Sequence, residues 1–236
     1  MALSFIAYLT GISAVCIFLL GVFYWIRFLI YFGQNKSKKL TPLVGFLALF
    51  LGGLYLGASV NFIAKLFWNI DIDLLLYGYL TYIHTPIGIS LAMFLGYDIF
   101  KPKLKWKMFI AFLIVGIVYL IAMLGWPEIM IDGTSPNPNE LVDISINSVV
   151  LVIVLLYILS CIFMLGVNFI LLGRRLNNGE PQKKAYKLGI GWFLFGIAGI
   201  LDSLLPLTFV IIPRVMMFIG LVLIFQGFAP IKNDLE

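Results

Sequence analysis

The chain has 236 residues, of which 62% are hydrophobic and only 11% are charged, and its mean hydropathy is +1.08. A soluble domain is about half apolar and about a quarter charged, so the composition excludes a water-soluble globular protein. The net charge of +5 is informative mainly through the positions of the charged residues along the chain. We predict an all-α polytopic membrane protein with a single membrane domain over residues 1–236.

Seven apolar stretches, separated by polar breaks, are each long enough to cross a hydrocarbon core of about 30 Å as a helix. In chain order they are Leu3–Phe32, Pro42–Leu66, Leu74–Ile99, Trp106–Trp126, Ile144–Gly173, Tyr186–Leu205 and Phe209–Phe228. No stretch shows the repeated alternation of a barrel strand, and a backbone in lipid must satisfy its own hydrogen bonds. The predicted architecture is a seven-transmembrane-helix bundle, in which residues 202–208 form either an external turn or part of one broken helix.

Basic residues concentrate at every second break. Fourteen of the sixteen Lys and Arg residues lie around the breaks after the first, third and fifth stretches or in the C-terminal tail. Only Lys65 and Arg214 lie toward the other side, and the alternate loops are acidic instead. Cytoplasmic loops carry the excess of Lys and Arg, so we predict an N-terminus outside and a C-terminus in the cytoplasm of a plasma-membrane protein. The basic inner face would attract anionic lipid headgroups, and orientation alone explains this charge without nucleic acid.

The reactive side chains predict neither catalysis nor a cofactor. One His and two Cys leave little for a metal, since a structural zinc site takes four Cys or His ligands and a catalytic site takes three. The seventh stretch has no Lys that could hold retinal as microbial rhodopsins do. Asp98 and Asp202 fit short motifs of intramembrane aspartyl proteases, but they are predicted to lie at opposite membrane faces. We therefore expect a non-enzymatic protein without metal or cofactor.

Ionisable residues inside the spans predict a polar layer in the outer half of the membrane. Measured from the cytoplasmic end of its helix, Asp202 lies about 24 Å up, and Arg214 and His84 lie about 21 Å up. Asn61 and Tyr82 are near enough in sequence to join them. The two opposite charges form either a structural ion pair or, with His84, an outward-facing ligand pocket. His84 alone is either bonded to a helix carbonyl or a ligand-binding or pH-sensing group.

Small residues and prolines predict how the helices pack. The glycines of the second and sixth spans are expected to let helices approach closely, with homodimer contact as the alternative; they are Gly53, Gly57, Gly189, Gly191, Gly196 and Gly199. Pro86 beside His84 and Pro213 beside Arg214 are predicted to kink the third and seventh spans.

The last third of the chain carries a pattern of its own. A basic segment, Gln182-Lys183-Lys184-Ala185-Tyr186-Lys187, precedes a glycine-rich span with Gly191-Trp192-Phe193-Leu194-Phe195-Gly196 and Gly199-Ile200-Leu201-Asp202, and the span with Arg214 follows. In this pattern the chain resembles the seven-helix membrane modules of archaeal and bacterial sensor histidine kinases. The resemblance implies a sensor module. Because these residues hold no kinase domain, it also implies output through a separate cytoplasmic signalling partner.

Three functions are compatible with these patterns. The first is a sensor or receptor whose outward pocket is coupled to the inner loops by a shift between two states. The second is a small-solute transporter with a 3+1+3 helix arrangement, suggested by the glycines of spans two and six and the prolines of spans three and seven. Pro181-Gln182, expected in a loop, weighs against the transporter. The third is a structural membrane subunit whose polar residues only join helices. We take the sensor as the first prediction.

Overall fold

The computed structural model of the chain describes residues 3–34, 39–127, 131–134, 140–141, 143–146, 148–177, 179–205 and 209–229. Four charged residues used for the orientation lie outside these ranges; they are Lys36, Lys38, Glu128 and Lys232. Part of the segment predicted as a turn or a broken helix, residues 206–208, lies outside them as well.

The described chain is helical, apart from one short hairpin. The helices are α1 (Phe5–Gln34), α2 (Thr41–Gly53), α3 (Leu56–Trp68), α4 (Leu74–Tyr82), α5 (Thr85–Phe100), α6 (Lys105–Gly125), α7 (Ser148–Ser160), α8 (Asn168–Arg175), α9 (Glu180–Leu204) and α10 (Ile211–Phe228). A 3₁₀ turn, Pro102–Leu104, precedes α6, and a π-helical segment, Cys161–Val167, joins α7 to α8. The strands β1 (Ile131–Thr134) and β2 (Asp143–Ile146) pair antiparallel between α6 and α7.

Within the described residues, six helical spans are long and apolar enough to cross a membrane, and the bent pair of α2 and α3 is the candidate for a seventh. The surface supports this interpretation. Ile110, Ile114, Val118 and Ile121 follow one another about a turn apart along α6, and each is at least half exposed. Large apolar side chains repeated along an exposed helix face need a bilayer or a partner to cover them. The chain therefore has the architecture of a multi-pass membrane protein, as predicted.

The helices close into a ring. α1 packs between α2 and α10, α5 joins α2 to the π-helical segment, and α9 returns to α10. α6 lies outside this ring against α5. Fully buried side chains from each wall fill the centre; they include Ile17, Leu47, Met93, Leu165, Trp192 and Leu221.

Glycines permit the closest crossings, as predicted. A Cβ built on Gly191 would lie 2.9 Å from the Gly220 carbonyl oxygen, and one on Gly220 would lie 3.0 Å from the Gly191 oxygen. A Cβ on Gly21 would lie 2.8 Å from the Gly52 Cα atom. Any side chain at these positions would push the helices apart, so these glycines serve packing within the chain.

Three spans are irregular, and of these the sequence predicts an irregularity only in the third, beside Pro86. The second is interrupted at Leu54 and Tyr55, where α2 and α3 bend by 52°. The third is interrupted at Ile83 and His84, between α4 and α5. The fifth begins after β2 rather than at Ile144, because that stretch pairs with β1, and it contains the π-helical segment.

Pro86, Pro181 and Pro213 lie at the starts of helices. Pro213 is the third residue of α10, so it does not kink the seventh span. The first N–H groups of a helix have no intrahelical acceptor, and a proline there removes nothing. Pro86 occupies the same kind of position in the first turn of α5. Pro181-Gln182 belong to the first turn of α9 rather than to a loop.

Candidate functional site

Arg214 lies at the centre of a polar cluster at one end of the bundle. Its Nε lies 3.4 Å from Asp202 Oδ1, and its Nη1 donates a hydrogen bond of 2.6 Å to the Thr10 carbonyl of α1. The Tyr55 hydroxyl donates to the other carboxylate oxygen, Oδ2, at 2.9 Å. The Arg214 guanidinium carbon also lies 5.3 Å from the centre of the Tyr55 ring. We call these four residues the Arg214 cluster; the ion pair that the sequence predicts is present in it.

Helix dipoles do not account for this pair. Asp202 lies in the last turn of α9, where the partial negative charge of the helix end disfavours a carboxylate. Arg214 lies in the first turn of α10, where the partial positive charge disfavours a guanidinium. Each charge is therefore at the unfavourable end of its helix, and each depends on the other for compensation.

The two partners differ in burial. The Arg214 side chain is 9% exposed, whereas that of Asp202 is 23% exposed. A buried guanidinium needs its charge and its N–H groups satisfied inside the protein, which Asp202 and the Thr10 carbonyl do in part. Asp202 is thus the member of the cluster that a solute could reach first.

Tyr55 connects the cluster to the bend in the second span. It immediately precedes α3, and its own N–H donates to the Gly52 carbonyl at 3.1 Å. Its hydroxyl reaches Asp202 on α9, so the bent segment is joined to the ion pair by a charge-assisted hydrogen bond. A change at Asp202 would act directly on this bend.

His84 lies apart from the cluster. It occupies the interruption between α4 and α5, stacks on the Phe50 ring at 6.4 Å, and faces the backbone of Gly53. Its Nε2 is buried and has no partner in hydrogen-bond geometry within the described ranges. The hydrogen bonds and ion pairs described for the cluster do not include His84. The contacts described for His84 are with α2, and its convergence with Asp202 and Arg214 on one pocket stays a prediction.

The other two predicted site residues, Asn61 and Tyr82, lie in two different environments. Asn61 is fully buried in α3, and its Oδ1 accepts the Ile72 N–H at 3.4 Å. It ties the loop after α3 back to its own helix, as the Lys65 and Asp71 ion pair of 2.5 Å also does. Tyr82 ends α4 and lines a cavity deeper in the bundle.

That cavity has a volume of about 70 Å³ and apolar walls. Gly199 and Met217, which line it, each lie three residues from a charged member of the cluster, about 4.5 Å further along the helix. Of the five predicted site residues, only Tyr82 lines this cavity. Whether any of the five binds a ligand stays a prediction.

Tyr55 and Thr10 are the two members of the cluster that the sequence did not indicate. Thr10 contributes its main-chain carbonyl, which no side-chain pattern identifies. Tyr55 follows Gly52 and Gly53 in the middle of an apolar span, and a tyrosine at that depth needs a partner for its hydroxyl. The need of this hydroxyl for a partner was the sequence feature that could have identified Tyr55.

The other carboxylate of the protease-like motif is far from the site. Asp98 is near the end of α5 and pairs with Lys105 at the start of α6. Asp202 lies instead near the end of α9. Within the ranges that the structure covers, no three His, Cys, Asp or Glu side chains gather as metal ligands.

No protein-family model matches the chain, and no curated protein is significantly similar to it. The resemblance to sensor histidine kinase membrane modules therefore rests on the sequence pattern between Gln182 and Arg214 alone.

Proposed function

We propose that the chain is a sensor or receptor of the plasma membrane, with seven spans, its N-terminus outside and its C-terminus in the cytoplasm. The placement of charge supports this orientation. Lys105 at the start of α6 pairs with Asp98 near the end of α5, and Lys184 near the start of α9 donates to the Ala229 carbonyl just after α10, so basic residues accompany these helix ends. The positive-inside rule puts these helix ends in the cytoplasm and the Arg214 cluster near the outer surface.

The observation that carries the sensor proposal is the connection of the ion pair to the bent second span. Asp202 accepts from both Tyr55 and Arg214, so a solute that binds this carboxylate competes with both contacts. The proposed ligand pocket faces outward at Asp202, and His84 on the far side of the bend would respond through Gly53. A ligand shifts such an equilibrium only by its different affinity for the two states.

The inner face is the proposed output. Its basic residues would bind anionic lipid headgroups, and a separate cytoplasmic signalling partner would dock there. A homodimer is the alternative route for the signal. No step in this proposal needs a catalytic group or a cofactor, so the protein acts as a non-enzymatic switch.

A spin-label experiment tests the proposal. In a Cys16→Ala background, labels on Lys103→Cys and Asn177→Cys, at the proposed cytoplasmic end, report the distance between the ends of α5 and α8 in lipid nanodiscs. Asp202→Asn, which mimics a neutralised carboxylate, is expected to shift the distance distribution. Asp71→Asn, which breaks an outer ion pair that does not contact the bend, is the matched control. Identical distributions in wild type and Asp202→Asn would remove the support for a coupled sensor.

A small-solute transporter is the second candidate, and the broken second span favours it. Discontinuous helices commonly form the binding sites of secondary transporters. The 3+1+3 arrangement also expects the sixth span to repeat the second, yet α9 is continuous from Glu180 to Leu204. Solute uptake into proteoliposomes that is lost in Arg214→Ala would move the assignment to a transporter. A structural membrane subunit, the third candidate, predicts neither uptake nor a distance shift.

A further inference from the structure

The apolar cavity lies inside the ring, deeper than the Arg214 cluster. Its walls come from α2, α4, α5, α7, the π-helical segment, α9 and α10, and they include Phe50, Thr85, Cys161, Trp192 and Met217. None of its lining residues is charged. It is therefore a different environment from the charged site near the surface, and a ligand bound in it would not require the proposed sensor function.

Two lining residues carry a buried hydrogen-bonding atom that has no partner within the described part of the chain: Thr85 Oγ1 and Trp192 Nε1. The residues themselves are 8% and 1% exposed. Hydroxyls in these helices normally bond a carbonyl one turn back, as Ser90 does to Pro86 at 2.7 Å. A buried polar group left unmet costs about 1–3 kcal/mol, and two such groups belong to residues that line one cavity whose surface is otherwise almost entirely apolar.

We propose that this cavity is an intramembrane binding site for a small uncharged amphiphile, with a compact apolar body and one hydroxyl or carbonyl oxygen. The Trp192 indole only donates, and the Thr85 hydroxyl donates or accepts, so an oxygen acceptor suits both. A charged ligand would lose its hydration without a counter-charge in these walls.

Volume limits the size of the ligand. A cavity of roughly 150 Å³ holds benzene, and this one, at about 70 Å³, is about half as large. It therefore accepts a body of about three or four heavy atoms, or the end of a longer chain that reaches it from the lipid. Two ordered waters, at about 30 Å³ each, have the same volume, and they are the outcome against which the proposal is tested.

Photolabelling in lipid nanodiscs tests the site. The probe is an aliphatic alcohol that carries a diazirine, and the reference is a diazirine alkane of the same length. Mass spectrometry is expected to find saturable labelling by the alcohol on peptides that contain Cys161 or Met217. Excess n-butanol should suppress this labelling, and the alkane should label lipid-facing residues without saturation.

Two substitutions and one control separate the contribution of the hydrogen bond to probe binding from that of the cavity volume. Thr85→Val keeps the shape but removes the hydroxyl, and it should weaken probe affinity about three- to tenfold. Thr81→Val removes an equally buried, unpartnered hydroxyl that does not line the cavity, so it should label as wild type does. Gly199→Ala adds a methyl group 3.3 Å from Ile158 Cδ1, a contact that a small side-chain shift relieves, and should reduce labelling by filling space.

Each contrary result overturns the proposal. Equal labelling of Thr85→Val and wild type would mean that the hydroxyl makes no contact with the probe. Equal labelling by the alkane would mean an apolar void without a polar subsite. If labelling by the alcohol does not saturate and no residue of the cavity is labelled, the cavity contains ordered water rather than an amphiphile.

Discussion

Arg214 is the residue on which its end of the bundle depends. It contacts α1 through the Thr10 carbonyl, α9 through Asp202 and the bent second span through the Tyr55 ring. Since both charges lie at unfavourable helix ends, the pair gains little from the helices that carry it. Its stabilising effect comes from the mutual compensation of two charges that would otherwise be buried alone.

Removal of only one partner should therefore destabilise the protein strongly. Asp202→Ala leaves the Arg214 guanidinium buried without a counter-charge, and we expect a loss of about 3–5 kcal/mol in the free energy of unfolding. The double substitution Asp202→Leu with Arg214→Met should recover most of that loss, because apolar side chains of similar volume often replace a buried pair at little cost. Thermal unfolding in detergent measures both. A double variant as unstable as the single one would contradict this account.

The Tyr55 hydroxyl should contribute more than an ordinary buried hydroxyl, because its acceptor is a carboxylate. Tyr55→Phe is expected to lower the free energy of unfolding by about 1.5–3 kcal/mol. The matched control is Tyr157→Phe, which removes a bond of 3.2 Å to the neutral Phe112 carbonyl and should cost about 0.5–1.5 kcal/mol. Chemical denaturation of both variants under one condition gives the comparison. Equal losses would show that the carboxylate adds nothing.

At the scale of single residues, the sequence predicts the ion pair but not the other two members of the Arg214 cluster. Asp202 and Arg214 stand out because a charge inside an apolar span needs a partner. The roles of Thr10 and Tyr55 arise from a main-chain carbonyl and from an interruption of a helix, which side-chain types do not reveal. His84 lies in the span that the sequence predicts, but depth along a span does not say which neighbour a helix face meets.

At the scale of the elements, the interruptions of the second and third spans face each other. Gly53 ends α2 and lies against His84, which occupies the gap between α4 and α5. The Gly53 and Gly57 spacing predicts close packing, and the structure has it, since Gly57 lies against Thr81. The bend at Leu54 and Tyr55 could not be predicted in the same way. It has no proline, and it depends on tertiary contacts such as that of Tyr55 with Asp202.

The contact between Gly53 and His84 can be tested by substitution and rescue. A Cβ on Gly53 would lie 2.6 Å from His84 Nε2, so Gly53→Ala should destabilise the protein by about 1–3 kcal/mol through overpacking. His84→Ala in the same chain should relieve the clash and restore part of the stability. Gly33→Ala is the control, because no atom lies within 4 Å of a Cβ there, and it should be neutral or slightly stabilising. Thermal unfolding compares the three variants, and a Gly53→Ala variant as stable as wild type would refute the contact.

For the whole molecule, composition and span length predict the class of fold well. Each predicted apolar stretch overlaps a helix, because a hydrocarbon core of about 30 Å demands long apolar helices. The predicted ends fail where local pairing competes, as at Ile144, which belongs to β2. The number of spans depends on one element, since α2 and α3 form either a bent span or a loop that returns to the same side.

Cysteine labelling on either side of this element distinguishes the two topologies. Lys39 precedes α2, Ile70 follows α3, and both side chains are exposed. In a Cys16→Ala background, where the remaining Cys161 is buried, we expect a membrane-impermeant maleimide to label Ile70→Cys in intact cells. Lys39→Cys should react only after the cells are permeabilised, since the positive-inside rule puts it in the cytoplasm.

Each of the other labelling patterns indicates a different topology. Labelling of both cysteines from the same side would make α2 and α3 a returning loop, leave six spans and bring the two termini to one face. Labelling of Lys39→Cys alone in intact cells would reverse the orientation. The Arg214 cluster would then face the cytoplasm, and an external ligand could not reach Asp202. The sensor proposal thus requires Ile70→Cys outside and Lys39→Cys inside, because only that topology puts the Asp202 carboxylate near the outer surface.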